Sequence, residues 1–398
     1  MENPGLWKLR PAVVNKPWGL IHDRARDFTG IRVGVGEFWL ASAQTGPGNY
    51  SNEVVDPTLR KTLADLLREA AEEGDRPLRD LIGADALRHL RENPHRGKTE
   101  AWHVRLAEGR CGVAAGPPDA EAAEELKDRI LSEGLEPDVA GWPEEVRRLM
   151  GLIEPLQGGE TFSVPAGTMH TMFAVGPDSR LVIDELQQGY GEARLPTLSK
   201  ILMVQDSLLS VQVHPDDETV ADAAEGRLNV DQDLQANPTV RLYDFGRRPG
   251  EYPELGFRLV DPDVGLRMVT PIAVEVADGH EFEVVMAHAR WLKTATRLAE
   301  GGLYELLPHF GSYHVLHLTE GEAELRTAGR ALAVSRGETV FVPACLEDQV
   351  QVEALSDCTF FDDTFPAVTV LTRFLGTRGV NAGQLETLLN PPRAVPGE

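Results

Sequence analysis

Short apolar stretches separated by Gly, Pro and Asp run through most of the chain. Residues 31–42, IRVGVGEFWLAS, form one such stretch, and similar ones recur from 160 to 363. Stretches of this length that are bounded by turn residues are typical of buried β-strands. The pattern therefore predicts a mainly β protein.

Two blocks with helical periodicity interrupt the strand pattern. Residues 58–91 begin TLRKTLADLLREAAEEG, in which leucines recur at helical spacing up to Gly74. Residues 119–154 contain DAEAAEELKDRILSEG and PEEVRRLMGLI. Spacing of this kind is typical of amphipathic helices. We interpret the two blocks as an α-helical subdomain inserted into a β scaffold.

A short segment occurs twice in the chain. Residues 159–166 read GETFSVPA, and residues 337–344 read GETVFVPA. Each copy is a Gly turn, a strand with alternating side chains, and a Pro that ends the strand. The repeat predicts two related β-barrels. After the shared Pro-Ala the first copy continues to His170, whereas the second contains no His, so only the first barrel is predicted to place a metal ligand there.

The composition excludes some classes of function. The 398 residues include 39 Lys and Arg against 63 Asp and Glu, a formal net charge of −24. This acidity argues against a nucleic-acid-binding protein, because phosphate contacts need basic clusters. It also argues against docking on an anionic membrane. A chain of this length predicts two or three packed units, and the sequence leaves open whether the protein is a monomer or a homodimer.

Other features of the sequence indicate the cellular compartment. No apolar run approaches the ~18 residues that a membrane span needs. The first residues, MENPGLWKLRP, lack the apolar region of a signal peptide. The three cysteines, at positions 111, 345 and 358, are scattered and odd in number, which argues against a disulfide framework. We therefore expect a cytoplasmic protein.

Three short motifs carry the candidate chemistry. Residues two apart on a strand share a face, so Gln212 and His214 point the same way in VQVHPDD, as Lys98 and Glu100 do in GKTEAW. The third motif, PAGTMH, ends at His170. Each motif has a structural alternative: inward polar groups bonded to backbone, a solvent-facing ion pair, or a core histidine. Burying a Gln and a His together without partners would cost several kcal/mol, which favours a ligand role.

Together the three motifs resemble those of class I mannose-6-phosphate isomerases (phosphomannose isomerases), which belong to the cupin superfamily. The resemblance extends to KPWG at 16–19, GEFWLAS at 36–42, LSKIL at 198–202 and RLYDFGR at 241–247, and it spans most of the chain. It implies one Zn²⁺ per chain, and the ligands that it implies are Gln212, His214, Glu100 and His170. Two imidazoles, one carboxylate and one amide oxygen would leave the site at net +1 and preserve the Lewis acidity of the ion.

The resemblance also implies a reaction, the interconversion of mannose 6-phosphate and fructose 6-phosphate through a cis-enediol. Such a proton transfer needs a base, an electrophile and a phosphate anchor. The catalytic residues that the resemblance implies are Arg241, Glu185 and Lys98, and the substrate-binding residues are Lys200, Ser210 and Arg247. The proton carrier stays open between Glu185, Lys98 and a zinc-bound water, and Asp231 is a weaker candidate for an active-site acid.

The order of the motifs departs from the family. The block 198–217, which contains the Gln-x-His pair, follows His170, whereas in the family it precedes the Lys-x-Glu strand. The segment is therefore transposed. Ala174 replaces the Asn that closes the usual motif, and an Asn-Ser-Asp stretch is lost. Two alternatives follow from these departures: an isomerase of another sugar or sugar phosphate, and a non-catalytic sugar-binding regulator.

The remaining histidines are expected to be structural. His314 and His317 are three apart on an apparent strand, so they face opposite sides and cannot bind one ion together. His280, His288 and His309 have no partner at ligand spacing.

The sequence and the resemblance together divide the chain into four parts. These are a catalytic cupin barrel (1–57, 92–118 and 155–265), a helical subdomain (58–91 and 119–154), a second, degenerate cupin barrel (266–368) and a C-terminal tail (369–398).

Overall fold

Antiparallel strands form most of the regular structure, which confirms the prediction of a mainly β chain with helical insertions. The computed structural model describes residues 5–20, 34–46, 48–56, 59–93, 97–117, 119–133, 139–189, 195–230, 233–243, 253–277, 280–288, 291–306 and 310–393. None of the helices in these ranges has the length and apolar character that a membrane span requires.

The strands form two lobes. The strands in the first two-thirds of the chain are β1 (Trp7–Arg10), β2 (Ala12–Lys16), β3 (Gly34–Ala41), β4 (Glu53–Val54), β5 (Glu100–Gly116), β6 (Leu152–Ile153), β7 (Thr161–Val164), β8 (Met169–Gln188), β9 (Thr197–Gln205), β10 (Ser207–Leu208), β11 (Val211–Val213), β12 (Val240–Tyr243) and β13 (Arg267–Met268). The later strands are β14 (Ile272–Ala277), β15 (His280–His288), β16 (Trp291–Leu298), β17 (Leu303–Glu305), β18 (His314–Glu320), β19 (Glu322–Thr327), β20 (Arg330–Ser335), β21 (Thr339–Val342), β22 (Gln351–Ala354) and β23 (Cys358–Thr364).

The first lobe is one sheet built around the long strands β5 and β8. Its order is β13-β7-β5-β8-β9-β3-β2, with β10 and β11 pairing with β8, β12 with β11, and β6 with β5. β-Bulges interrupt the β5–β8 register after Val104 and after Glu108. Bulges bend the strand that carries them, so this sheet curves instead of lying flat.

The second lobe consists of two sheets with a shared core. The larger has the order β14-β15-β16-β23-β18-β21-β1-β4, and the smaller has the order β17-β22-β19-β20. Apolar side chains of both sheets form one buried cluster, which includes Phe282, Leu316, Leu325 and Val352. Among the described strands, the end strands of each sheet do not pair with each other. This layered arrangement confirms the predicted mainly β fold of jelly-roll type, in which a core lies between two layers, although the described strands do not close into a continuous barrel.

Both copies of the repeated segment form equivalent strands. The first copy forms β7 and the second forms β21. Gly159 and Gly337, which begin the copies, have φ of 91° and 87°, a conformation that glycine adopts without strain. The first copy leads into β8 and His170, whereas the second leads into a 3₁₀-helix over Ala344–Gln349. The lobes therefore diverge at the position where the sequences do.

The helices belong to separate apolar clusters. Their bounds are α1 (Leu63–Glu73), α2 (Asp75–Ile82), α3 (Ala84–Glu92), α4 (Ala120–Leu131), α5 (Glu144–Leu149), α6 (Asp217–Ala224), α7 (Pro253–Leu259), α8 (Val368–Thr377) and α9 (Ala382–Leu389). Thr62 begins α1 with a capping box, in which its hydroxyl accepts from the backbone N–H of Asp65 and the Asp65 carboxylate accepts from its backbone N–H. Helices α1 to α3 pack against the core between the lobes, whereas α4 and α5 pack against β11 and β12.

The core between the lobes is centred on stacked aromatic rings. The ring of Phe341 lies parallel to that of Trp7 at 5.9 Å and to that of Tyr313 at 5.6 Å. All three side chains are almost completely buried. Large aromatic side chains contribute strongly to such a core because they remove much apolar area from water.

We expect Phe341→Ala to lower the free energy of unfolding by about 3–5 kcal/mol, because it leaves a cavity between two stacked rings. Urea unfolding followed by fluorescence measures the change. Leu303→Ala is the control, since that side chain is half exposed, and we expect a change below about 0.5 kcal/mol. Equal effects of the two substitutions would contradict this account of the core.

Candidate metal centre and substrate pocket

The bend of the β5–β8 pair brings distant residues together. In the register of the two strands Trp102 lies opposite Glu185. The Trp102 ring nevertheless contacts the ring of His170, near the other end of β8, with 5.4 Å between centroids. The strand pair therefore folds over on itself, and Glu100 at the start of β5 approaches His170.

The transposed segment reaches the same place by strand pairing. Strand β11 pairs with β8 and with β12, and Gln212 lies opposite both His170 and Arg241. His214 follows directly after β11, and its ring centroid is 4.9 Å from that of His170. The structure thus gathers the Gln, the Glu and both His of the predicted ligand set around one point, although the chain supplies them in a changed order.

Hydrogen bonds fix which ring nitrogens face this point. Nδ1 of His170 lies 2.9 Å from the carbonyl oxygen of Thr168, and Nδ1 of His214 lies 2.9 Å from that of Pro238. A carbonyl oxygen only accepts, so each Nδ1 carries the proton and each Nε2 presents a lone pair. The Nε2 atoms of His170 and His214 lie 3.6 and 3.0 Å from the Glu100 carboxylate. Outer hydrogen bonds of this kind orient imidazoles that bind metals.

The protonation states of Glu100, His170 and His214 leave lone pairs directed into the cluster. Burial raises the pKa of Glu100, but neighbouring charge, chiefly the ammonium group of Lys98, opposes burial and the pKa lies well below its usual value. Burial lowers the pKa of His170, and it lowers that of His214 to about 3. At neutral pH one carboxylate and two neutral imidazoles therefore converge in a buried site, and Nε2 of His214 has no hydrogen-bond partner among the described residues. These donors fit a divalent cation such as zinc.

Two further groups hold the Glu100 carboxylate in place. Lys98 Nζ lies 2.6 Å from one carboxylate oxygen, and Trp102 Nε1 donates to the other at 3.1 Å. Gln212 completes the cluster, with its amide nitrogen 3.3 Å from Nε2 of His170. A half-turn of that amide would present its oxygen at the same position.

A cavity of about 280 Å³ opens beside the cluster. Its lining includes the predicted substrate-binding residues Lys200 and Ser210. It also includes the predicted catalytic residues Arg241, Lys98 and Glu185. Two predicted residues, Arg247 and Asp231, lie outside the described residues, as does His309. The cavity also contains side chains to which sequence reasoning gave no role: these are Lys16, Trp18, Glu37, Trp39, Asn49 and Asn237.

Glu185 and Lys200 form an ion pair in the wall of the cavity. They lie opposite each other on β8 and β9, with 3.0 Å between Glu185 Oε1 and Lys200 Nζ. Burial and the negative charge of Glu100 raise the pKa of Glu185 to about 7, although Lys200 and Lys98 oppose the shift. Burial would lower the pKa of Lys200, but the surrounding carboxylates raise it. Lys200 therefore stays cationic, while Glu185 exchanges its proton near neutral pH.

A second carboxylate, Glu37, connects two lysines of the cavity. Its oxygens lie 3.2 Å from Lys16 Nζ and 2.6 Å from Trp39 Nε1. Burial opposes ionisation of Glu37, but Lys200 and Lys16 outweigh burial and lower its pKa. The alternation in GEFWLAS puts Glu37 and Trp39 on one face of β3, and an acidic residue inside so apolar a stretch is the signal that could have identified it.

Hydrogen bonds also connect the transposed segment to the loop before Glu100. The backbone N–H of Lys98 donates to the carbonyl of Pro215 at 3.0 Å, and that of Gly97 donates to the Asp217 carboxylate at 2.6 Å. The Gln188 amide donates to the same Asp217 oxygen at 3.2 Å. A Cβ on Gly97 would lie 2.3–2.6 Å from the backbone of residues 215–216. Only glycine permits this close approach.

The histidines of the second lobe have structural partners. His314 bridges two carboxylates, with its ring nitrogens 2.6 Å from Asp362 and 3.1 Å from Glu347. Burial opposes its protonation, but these carboxylates raise its pKa to about 10. The ring of His317 lies in another network, 3.0 Å from the Thr339 hydroxyl. Within the described ranges, Glu100, His170 and His214 form the one group of His, Cys and carboxylates with metal-binding spacing.

We expect Gly97→Ala to weaken zinc binding at least tenfold, because the new methyl group would push residues 215–216 and the adjacent His214 away from Glu100. Competition with a chromogenic chelator measures the affinity. Gly329→Ala is the control, since no atom lies within 4 Å of its added Cβ. An unchanged affinity in the Gly97 variant would show that the close approach does not position the ligands.

We also expect the metal-free protein to lose stability between pH 7 and pH 5. The pKa values of His103, His214 and His317 are lowered by burial to about 4, 3 and 3. Below pH 6.5 the unfolded chain therefore binds protons that the native protein does not, which favours unfolding. The raised pKa values of Glu185 and His314 act in the opposite direction; Glu185 offsets about one histidine and His314 a smaller part.

The net loss should be about 2–4 kcal/mol over this range. Urea unfolding in the presence of a chelator at pH 7, 6 and 5 measures it. His317→Gln should reduce the net pH dependence by about half or more, because it removes one of three histidines whose combined effect is partly offset. Stability that stays constant or increases from pH 7 to pH 5 would refute the assignment.

Comparison with solved structures identifies similar folds. The chain is similar to the mannose 6-phosphate isomerase from Bacillus subtilis, with a TM-score of 0.55 and 15% sequence identity over 91% of this chain and 100% of that one. It is also similar to a mutant of phosphomannose isomerase from Salmonella typhimurium, with a TM-score of 0.50 and 14% identity over 92% of this chain and 100% of that one.

Sequence comparison adds nothing to this likeness. No family model and no curated protein sequence matches the chain. At 14–15% identity the two structural similarities show a shared fold. The chain therefore shares the fold of these two solved structures.

Proposed function

We propose that the protein is a zinc-dependent aldose–ketose isomerase that interconverts mannose 6-phosphate and fructose 6-phosphate. The convergence of Glu100, His170 and His214 beside a cavity with cationic walls carries this proposal. The names of the Bacillus and Salmonella proteins with the same fold point to the same class of sugar phosphate. The implied substrate is a small molecule, and we propose a cytoplasmic location and neither a nucleic-acid nor a membrane partner, in keeping with the net charge of −24.

Zinc would be held by His170, His214 and Glu100, with the amide oxygen of Gln212 as a fourth ligand. When bound, the ion supplies a Lewis acid that polarises the sugar carbonyl and stabilises the negative charge of the enediolate. Lys98, 2.6 Å from Glu100, fixes the orientation of that carboxylate.

The charges of the cavity suit a phosphorylated sugar. Its walls carry four cations and three carboxylates; these are Lys16, Lys98, Lys200 and Arg241, and Glu37, Glu100 and Glu185. The cavity is therefore locally cationic, in contrast to the strongly acidic chain as a whole. A divalent ion would increase the positive charge further. Such a site attracts a phosphate dianion.

We assign the phosphate to Lys200 and Ser210, and the resemblance adds Arg247. Lys200 is almost fully buried and stays cationic, so its ammonium group would contact phosphate with little competition from water. Ser210 also lines the cavity.

We assign the proton transfer between C1 and C2 to Glu185. A general base works best when its pKa is near the working pH, and that of Glu185 is raised to about 7. Lys98 is a poorer candidate because its ammonium group is paired with Glu100. Arg241 lies opposite Gln212 on β12, where its guanidinium would neutralise charge on the sugar oxygens.

We expect the purified protein to bind one equivalent of zinc and to interconvert the two hexose phosphates, with loss of activity in a chelator and recovery on adding zinc.

We expect Glu185→Gln to keep zinc and substrate binding but to lower kcat by about 10²–10⁴-fold, because the amide cannot accept the proton. Coupled assays and deuterium exchange at C2 measure these effects.

The outcomes distinguish the alternatives. Turnover of a different sugar phosphate would retain the isomerase but change its substrate. Binding of sugar phosphate without exchange of the C2 proton would favour a sugar-binding regulator. Full activity without any divalent metal would refute the proposal.

A further inference from the structure

The strands that carry the catalytic pair have a second, buried face. Successive residues of a strand point to opposite sides. On β8 Glu185 faces the cavity, so Asp184 faces away from it. On β9 Lys200 faces the cavity, so Ser199 faces away. Asp184 and Ser199 both point toward the second lobe, where they are buried.

Lys293 of the second lobe connects to both of these residues, to Asp184 directly and to Ser199 through Asp363. Its side chain is 1% exposed, and its Nζ lies 2.8 Å from Asp363 Oδ1 and 4.0 Å from Asp184 Oδ1. The other oxygen of Asp363 accepts a hydrogen bond from the Ser199 hydroxyl. Arg105 of β5 also pairs with Asp184, at 2.6 Å between Nη2 and Oδ1. One buried ionic cluster therefore connects β16 and β23 with β5, β8 and β9.

Burying this ionic cluster costs desolvation free energy, which favours a role for the cluster other than stability. Burying an ammonium group and two carboxylates removes their hydration, and well-packed apolar residues often stabilise such a position as well or better. The surroundings here are otherwise apolar and aromatic, since Lys293 Nζ lies 5.0 Å from the centre of the Phe361 ring. Directional hydrogen bonds, unlike apolar contacts, fix the register and orientation of the strands that they join.

The metal centre offers no explanation for the ionic cluster, because it lies in the first lobe. The described part of the second lobe contains no group of His, Cys and carboxylate side chains at metal-binding distances. Its contact with the catalytic strands passes through residues immediately adjacent to Glu185 and Lys200. A displacement of these neighbours would move the ion pair in the cavity wall, and misplacement by about 1 Å costs about 100-fold in rate.

We propose that Lys293 is a positioning residue, which fixes the Glu185–Lys200 pair through Asp184 and through the Asp363–Ser199 hydrogen bond. The second lobe thus fixes the position of β8 and β9 by contacts on their outer face. This inference rests on the proposed function, since it concerns the same cavity.

The first test compares single variants with the wild type in the zinc-loaded full chain. Lys293→Met removes the charge and keeps the length of the side chain, and Ser199→Ala removes one hydrogen bond. We expect kcat/KM for mannose 6-phosphate to fall about 10- to 100-fold in the first and less in the second. KM should rise because Lys200 shifts, and kcat should fall because Glu185 shifts. Zinc stoichiometry should stay at one per chain.

Val334→Ala is the matched control. Val334 is buried in the second lobe but belongs to the apolar core, away from the ionic cluster. This variant should lower the thermal midpoint without changing kcat or KM of the folded protein. A similar loss of kcat/KM in Val334→Ala and Lys293→Met would overturn the proposal, because general destabilisation would then explain both.

The double variant Lys293→Met, Asp363→Leu separates positioning from stability. It replaces the ion pair by apolar side chains, so we expect it to recover the thermal midpoint that Lys293→Met loses. It cannot restore the hydrogen bond to Ser199, so kcat/KM should stay at least tenfold below that of the wild type. Recovery of both quantities would overturn the proposal.

Binding of mannose 6-phosphate, measured by calorimetry, keeps the inference separate from the proposed function. A wild type that binds this ligand but never exchanges the C2 proton would refute the isomerase, while the weaker binding expected of Lys293→Met would still support positioning of Lys200. Wild-type turnover together with a kcat/KM that stays at the wild-type value in both Lys293 variants would refute the positioning role alone.

Discussion

The site depends on the burial of one carboxylate against two imidazole lone pairs. Glu100 is ionised in the protein interior, and the hydrogen bonds to Thr168 and Pro238 force His170 and His214 to present acceptors toward it. Acceptors that face each other without water repel, so they require a cation. Lys98 supplies part of that positive charge, and the remaining lone pairs suit a divalent metal.

The alternation of side chains along β8 and β9 gives these strands two functions. One face contributes Glu185 and Lys200 to the cavity, and the other contributes Asp184 and Ser199 to the contact with the second lobe. Each of these strands therefore contacts the cavity on one face and the second lobe on the other, so the strand itself connects the two without a loop. The second lobe, whose copy of the repeat leads into a 3₁₀-helix instead of a strand that carries a histidine, lies against the outer face.

The transposed segment shows that order along the chain and order in space are separate constraints. Strand β11 inserts beside β8 with Gln212 opposite His170, and Pro215 and Asp217 attach the following turn to Gly97 and its neighbour. Backbone hydrogen bonding depends on register between neighbouring strands, not on which strand is made first. The ligand geometry can therefore persist while the connections, and the pocket rim that they form, change.

The sequence by itself determined the β class, the helical blocks and the residue types of the site, because strand alternation and turn residues act over a few positions. The motif resemblance supplied the four candidate ligands and the residues proposed for the reaction. Only the tertiary structure decided that the sheets are open layers, that β5 and β8 fold over on themselves, and that Glu37 and Lys293 are buried ions. Such features arise from contacts between residues far apart in the chain, and no local pattern encodes the bend or the charge partners that these contacts create.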